Sequence, residues 1–290
     1  MNDTVNKNLR LIFPQWQGGN NESYYFGSQL LAWLSPQEKG TTVEVPVTTP
    51  VDKPLAVEQG IVGRKQVVSQ LLSARELVRQ HSPDTIVTLG GDCLVSLAPF
   101  SYLIEKYGEK LGVLWIDSHP DVMTPEQFAH SHAHVLGALM GNGDPDLTRD
   151  IVKPLLPEKI MIAGIHDPLA YEQEFISSRG IMTCGPDEVR HGAKAVQEWI
   201  VREKIEFLAI HLDLDVLDPA TFRSVLFARP GRGPHDFGDA AEGRLSLSEV
   251  TQLIGQAASA TTPVGLTVAE HLPWDAINLS RMLASLPLMK

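Results

Sequence analysis

Short apolar runs alternate with longer helix-patterned segments along the whole chain, and that alternation leaves few folds open. Runs such as Thr85–Leu89, Leu111–Ile116 and Phe207–Ile210 are short and almost uninterrupted by polar residues, the pattern of strands buried on both faces. Strand patterns fall at Arg10–Phe13, Thr42–Pro46, Asp84–Leu89, Gly112–Ile116, Lys159–Ala163, Gly180–Thr183, Phe207–Leu212 and Pro263–Ala269. Helix patterns fall at Gln59–Arg79, Ser96–Tyr107, Ala133–Met140, Leu169–Ser178, Ala193–Glu203, Leu247–Ser259 and Ala276–Leu286. Their order predicts an α/β fold of three layers, α/β/α, around a central, mostly parallel sheet of about eight strands. No repeat or low-complexity linker divides the 290 residues, and 43% hydrophobic content suffices for one core, so residues 1–290 are expected to form a single domain.

Three acidic clusters follow three of these strands: Gly90-Gly91-Asp92-Cys93, Asp117-Ser118-His119-Pro120-Asp121, and Asp213-Leu214-Asp215-Val216-Leu217-Asp218-Pro219. Residues directly after a buried parallel strand sit at its C-terminal end, where open α/β sheets bind ligands. In an extended segment, side chains at i, i+2 and i+4 project to one side, so Asp117, His119 and Asp121 converge, as do Asp213 and Asp215. Carboxylates crowded in this way repel one another unless cations neutralise them. Two divalent metal ions sharing bridging carboxylates are the expected occupants.

The ordered set Gly-Gly-Asp-x, Trp-x-Asp-x-His-x-Asp and Asp-x-Asp-x-x-Asp-Pro resembles the ureohydrolase superfamily of arginases, agmatinases, guanidinobutyrases and formimidoylglutamases, from about Asp84 to the C-terminus. The resemblance implies an arginase-like fold and a di-manganese centre whose ligands match Cys93, Asp117, His119, Asp121, Asp213 and Asp215. It also implies a metal-bridging hydroxide that attacks a guanidinium carbon and releases urea, and homo-oligomers, either trimers or hexamers.

Cys93 departs from the pattern, because relatives usually carry histidine there. A thiolate suits zinc, iron, cobalt or nickel better than manganese, so the metal is altered, or one ion is lost, or Cys93 is a buried spectator. Family members that hydrolyse hydroxylated guanidines also resemble this chain in having cysteine at that place.

Three further residues are expected to serve the reaction. His134 lies seventeen residues after Asp117, the separation at which arginases place a proton-transferring histidine, and is expected to serve the leaving amine. Glu270, after the strand ending at Ala269, is expected to pair with the substrate guanidinium, as the matching glutamate does in the family. Asp121 is counted as catalytic as well as ligating.

Substrate choice is less legible. Arginases clamp the amino-acid end of their substrate with an Asn and a Ser. The corresponding residues here are Met123 and His130, so the arginine-type clamp is expected to be absent and His130 to face a different small guanidino-type molecule. Asp167, after the strand ending near Ile165, is a further candidate contact. The span Phe222–His235 carries Arg223, Arg229 and Arg232, which would suit an anionic substrate group. Asp92 and Asp218 are expected to form turns or to orient a neighbouring ligand, and neither is placed on a metal.

A net charge of −11 argues against nucleic-acid and anionic-membrane partners. The apolar runs are too short to span a bilayer, no signal-peptide pattern opens the chain, and its two cysteines, Cys93 and Cys184, point to the reducing cytoplasm. Two other readings compete with a hydrolase of linear amidines: a binding or regulatory protein that has lost a metal site, and a deacetylase-like amide hydrolase.

Overall fold

The computed structural model describes residues 7–37, 40–50, 53–233 and 236–287; Pro234 and His235 of the arginine-bearing span lie outside the described residues. All eight expected strands form, as β1 (Asn8–Phe13), β2 (Thr41–Glu44), β5 (Thr85–Gly90), β6 (Leu111–Ile116), β7 (Ile160–Ala163), β8 (Met182–Cys184), β9 (Phe207–Asp213) and β10 (Thr262–Ala269). A separate two-residue pair, β3 (Val57–Glu58) and β4 (Ile61–Val62), is antiparallel. The eight strands make one sheet in the order β2-β1-β5-β10-β9-β6-β7-β8, and every neighbouring pair is parallel.

The helices are α1 (Ser23–Leu34), α2 (Arg64–His81), α3 (Leu97–Tyr107), α4 (Val135–Leu139), α5 (Pro145–Thr148), α6 (Ala170–Arg179), α7 (Pro186–Arg190), α8 (Lys194–Arg202), α9 (Leu247–Ala260) and α10 (Trp274–Ser285). Of these, α1 and the short α5 and α7 were not expected from the sequence. The residues expected as one helix over 133–140 divide into a 3-10 turn, Ser131–His134, and α4.

Side-chain alternation along the strands separates two apolar layers. In β6, Val113 and Trp115 pack with Leu71 and Val78 of α2 and Phe100 and Leu103 of α3. Leu114 and Ile116 face the other way, onto Val196 and Trp199 of α8 and Val250 and Leu253 of α9. A strand with apolar neighbours on both faces must read as a continuous apolar run, which is why β6 shows no polar alternation. A third cluster joins Trp16 and Tyr24 to Leu272, Trp274 and Ile277, tying the segment before α1 to the loop after β10.

Candidate metal centre

The four central strands, in the order β5-β10-β9-β6, bring the acidic clusters and Glu270 together at one edge of the sheet. After β5 the chain passes so close to the first loop that a Cβ on Gly91 would lie 1.7 Å from the Gln15 carbonyl oxygen, so this turn needs glycine. The Asp92 carboxylate then accepts hydrogen bonds from Leu94 N at 3.2 Å and Gly19 N at 3.0 Å. It thereby starts the 3-10 turn Cys93–Ser96 and directs Cys93 to the sheet edge.

Cys93 is buried, and its thiol donates to Asp213 Oδ2 at 2.7 Å. Asp213 also accepts from Asp215 N at 2.7 Å, which fixes the two carboxylates relative to each other. Across the edge, Asp117 accepts from Trp115 Nε1 at 3.1 Å and from His119 N at 2.7 Å. His119 Nδ1 lies 3.4 Å from Asp117 Oδ1 and 3.3 Å from Asp215 Oδ2. Asp121 is held in the left-handed region at φ +50°, and Glu270 at φ +64°. Asp218 does form a turn, its Oδ1 accepting from Ala220 N at 2.8 Å.

Buried polar atoms are normally paired. Here His119 Nε2, Asp121 Oδ2, Asp215 Oδ1 and His211 Nε2 are buried without a hydrogen-bond partner. Burial raises Asp117 to about 7, and burial with the neighbouring charges raises Asp121 and Asp213 well above the usual carboxylate range. Such acids can be ionised together only when positive charge sits among them. Two overlapping donor groups fit: Cys93, Asp117, Asp121 and His211 in one, Asp117, His119 and Asp215 in the other. Within each, the ligand atoms lie within 4.8 Å of one another. The residues therefore suit divalent cations, with Asp117 common to both groups.

Beside these groups, Glu270 is buried and accepts from Tyr24 Oη at 2.5 Å, and its Oε1 lies 2.8 Å from His132 Nδ1. Burial opposes ionisation of Glu270, but His132, hydrogen-bonded and opposite in charge, and Tyr24 outweigh it and hold the carboxyl below its ordinary value. Burial likewise disfavours a charged His132, yet Glu270 holds its pKa above the ordinary value. The two therefore behave as an ion pair.

His134 is not brought to this cluster. Its ring is fully buried, Nε2 donates to the Phe128 carbonyl at 2.8 Å, and burial lowers its pKa to about 4. The residue expected to transfer the proton is thus turned away from the carboxylates. His132, not His134, faces the opening above the carboxylates. Tyr24 and His211 carried no role in the sequence reading either. Tyr24 is 246 residues from its partner Glu270, so no local pattern could show the pairing. His211 left a trace: it is a histidine inside an apolar strand, two residues before Asp213 and thus on the same side.

The cluster opens into a cavity of about 830 Å³ whose floor includes His119, Asp121, Asp213, Asp215 and Glu270. Its walls include Tyr24, Met123, Phe128, His130, Phe227 and Trp274, and Gly19, Asn20 and Asn21 ahead of α1 line it as well. His130 is half-buried, its ring 4.8 Å from that of Phe128. Asp167 stands at the exposed mouth, with Arg244 Nη2 on its Oδ2 at 2.8 Å. The arginines of the following loop all lie near protein carboxylates, and of the three Arg229 lines the cavity. Arg229 pairs with Asp236, and Arg232 makes a two-pronged contact with Glu242 at 2.7 and 2.9 Å. Arg223 lies 3.9 Å from Asp275.

A model of the arginase family matches residues 33–235. The arginase of Bacillus caldovelox is 32% identical over 159 residues, 52% of each chain, and that of Entamoeba histolytica is 30% identical over 141 residues, 46% of this chain and 48% of that one. The chain thus spans about half the length of the curated relatives it matches. Among solved structures, Entamoeba histolytica arginase in complex with L-ornithine superposes with a TM-score of 0.76 at 20% identity, covering 93% of this chain and 92% of that one. Formimidoylglutamase from Bacillus subtilis gives 0.66 at 15% identity, covering 94% and 81%. At such identities the structural likeness speaks for the fold.

Proposed function

The chain belongs to the arginase family, and from that premise we propose that it hydrolyses a C–N bond of a linear guanidino or related amidino compound, releasing urea or a urea-like product. The observation that carries this reading is the buried edge where carboxylates, a thiol and imidazoles converge with atoms left unpaired. Two divalent ions would be held by Cys93, Asp117, His119, Asp121, Asp213 and Asp215, with manganese the family's metal and zinc, iron, cobalt or nickel favoured where the thiolate binds. When bound, the ions supply hydroxide at neutral pH from water whose pKa they lower.

The protein's own groups do the rest. Glu270, kept ionised, takes the substrate guanidinium through charge-assisted hydrogen bonds, for which each carboxylate oxygen retains a free lone pair. Tyr24 fixes the orientation of Glu270. His132, protonated beside Glu270, delivers a proton to the departing nitrogen. Asp121 aligns the reacting water from a strained backbone position. Phe227 and Trp274 limit access of bulk water. His130 and Met123, on the cavity wall, meet the remote end of the substrate, while Asp167 with Arg244 guards the mouth. Met123 and His130 stand where arginases carry the Asn and Ser of their amino-acid clamp, and on this reading the substrate differs from arginine at its far end.

The enzyme acts as a single catalytic domain, assembled into trimers or hexamers in the cytoplasm. Its two cysteines are unpaired and buried, and no helix among the described residues is long and apolar enough to cross a membrane. Elemental analysis of protein prepared with manganese, zinc, iron, cobalt or nickel, followed by urea-release assays on guanidino compounds, tests the reading. About two ions per chain and urea release are expected; no ion with any metal would remove its basis.

A further inference from the structure

Ahead of its terminal Asp213, β9 is apolar except for one fully buried histidine, His211. Its ring stacks on the Trp115 indole with centroids 3.6 Å apart and planes 8° from parallel. Nδ1 lies 2.8 Å from Ser96 Oγ, whereas Nε2 is buried with no partner. Leaving such an atom unsatisfied is costly, because burial strips its water without supplying a partner. A core histidine retained only for packing would be easier to replace with an apolar ring.

The surroundings explain the orphan. An imidazole nitrogen of His211, Cys93 Sγ and carboxylate oxygens of Asp117 and Asp121 lie within 4.8 Å of one another. Because Nδ1 is committed to Ser96, Nε2 is the free donor. The same scaffold serves all of them: Trp115 stacks on His211 and donates to Asp117, and Ser96 closes the 3-10 turn that begins at Cys93. With Nδ1–H donated to Ser96 Oγ, the neutral ring offers its Nε2 lone pair, the arrangement found when a second partner orients a metal-binding histidine.

We propose that His211 is a metal ligand, completing with Cys93, Asp117 and Asp121 a position of one nitrogen, one sulfur and two oxygen donors. The proposal rests on the metal-dependent hydrolase reading and deepens it. The two positions of the centre differ in chemistry. The Cys93–His211 position suits zinc, iron or cobalt, and the His119–Asp215 position, with oxygen and imidazole donors, accepts manganese. Cys93 is then one half of a changed ligand pair, with the imidazole supplied from β9 rather than from the turn after β5.

The test is cobalt titration of the full chain after chelator treatment, comparing wild type with His211→Ala and His211→Gln. Visible and near-ultraviolet spectra and bound cobalt per chain are followed. Wild type is expected to bind two ions and to show a thiolate-to-cobalt absorption. Both variants are expected to lose affinity for one ion by about 100-fold or more, since even residues that merely orient a ligand are worth roughly 10–100-fold. That absorption should weaken with the lost ion, and added imidazole should restore both signals in His211→Ala. The glutamine variant retains a polar group beside Ser96 and guards against a simple folding defect. Two ions bound to both variants with wild-type affinity and spectrum would overturn the proposal alone. Two ions with the His211-dependent spectrum, but no urea from any guanidino compound, would overturn the hydrolase reading alone. No ion bound by wild type would overturn both.

Discussion

The acidic edge and the arginine-bearing loop beside its mouth are both dense in charge, yet they are built on opposite terms. At the edge, carboxylates and imidazoles are buried, mutually repulsive, and left with unpaired atoms. In the loop, Arg229, Arg232 and Arg244 are solvent-accessible, and each already has a carboxylate partner. Unsatisfied buried groups are a capacity to bind, because a ligand recovers what burial lost; satisfied surface pairs hold no such reserve. Under the proposed function, chemistry falls to the floor of the cavity and selection to its rim.

The largest effect should come from the floor. Asp213→Ala or Asp121→Ala should lower turnover by more than about 10³-fold, since metal ions supply several kcal/mol of charge stabilisation. Metal content should fall with it, while circular dichroism stays native. Either variant with full turnover would break the contrast at its stronger side. Cys93→His is expected to move metal preference toward manganese, read by elemental analysis; an unchanged metal profile would make Cys93 a spectator.

Next come the two histidines of one short turn. His132→Ala should lower kcat by about 10²-fold, the lower range for a general acid. His134→Ala should leave kcat near wild type and reduce stability instead, because His134 bonds only to the Phe128 carbonyl. Reversed results would return the proton-transfer role to His134. Glu270→Gln should lower kcat/KM by roughly 10–100-fold, the scale of a hydrogen bond to a charged group, with Tyr24→Phe showing a smaller loss in the same direction.

That pair of histidines also marks where the sequence stops being informative. The sheet was legible because strands covered on both faces, such as β6, must be apolar throughout. The convergence of the acidic clusters was legible because alternation at i and i+2 is local geometry. α1 was not, since its segment Ser23–Leu34 offers no side-chain cap, no acid in its first turn and no base in its last. The contact of His132 with Glu270 was not legible because the two lie 138 residues apart, nor that of Tyr24, whose partner lies 246 residues away. His211 was visible but looked like one more residue of a buried strand.

His134 gives a pH effect of definite sign. Its folded-state pKa of about 4 lies below its ordinary value, so the fold prefers the neutral ring. Its contribution is fully present above about pH 6.5 and is lost as pH falls toward 4. Buried acids such as Asp92, raised to about 7, work in the opposite direction, so the whole-protein profile mixes both. The difference between wild type and His134→Gln isolates the histidine. By denaturant unfolding, wild type should lose ground to the variant by on the order of 1.4 kcal/mol per pH unit across that window. Parallel profiles would mean that His134 is not held neutral.

The smallest effect belongs to the rim and tests the weaker side of the contrast. Arg232 is accessible and meets Glu242 through both guanidinium nitrogens, but an exposed pair of this kind contributes at most about 1 kcal/mol. Arg232→Ala should change unfolding free energy by less than that and leave kcat unaltered, because the guanidinium is absent from the cavity over the metal ligands. Its expected signature is a change in KM among substrates that differ in charge at their far end, as release of Glu242 makes the mouth more negative. Anionic substrates should bind less well and cationic ones no worse. If Arg232→Ala instead reduced kcat for every substrate alike, the loop would reach the reacting atoms, and the division between a chemical floor and a selecting rim would fail.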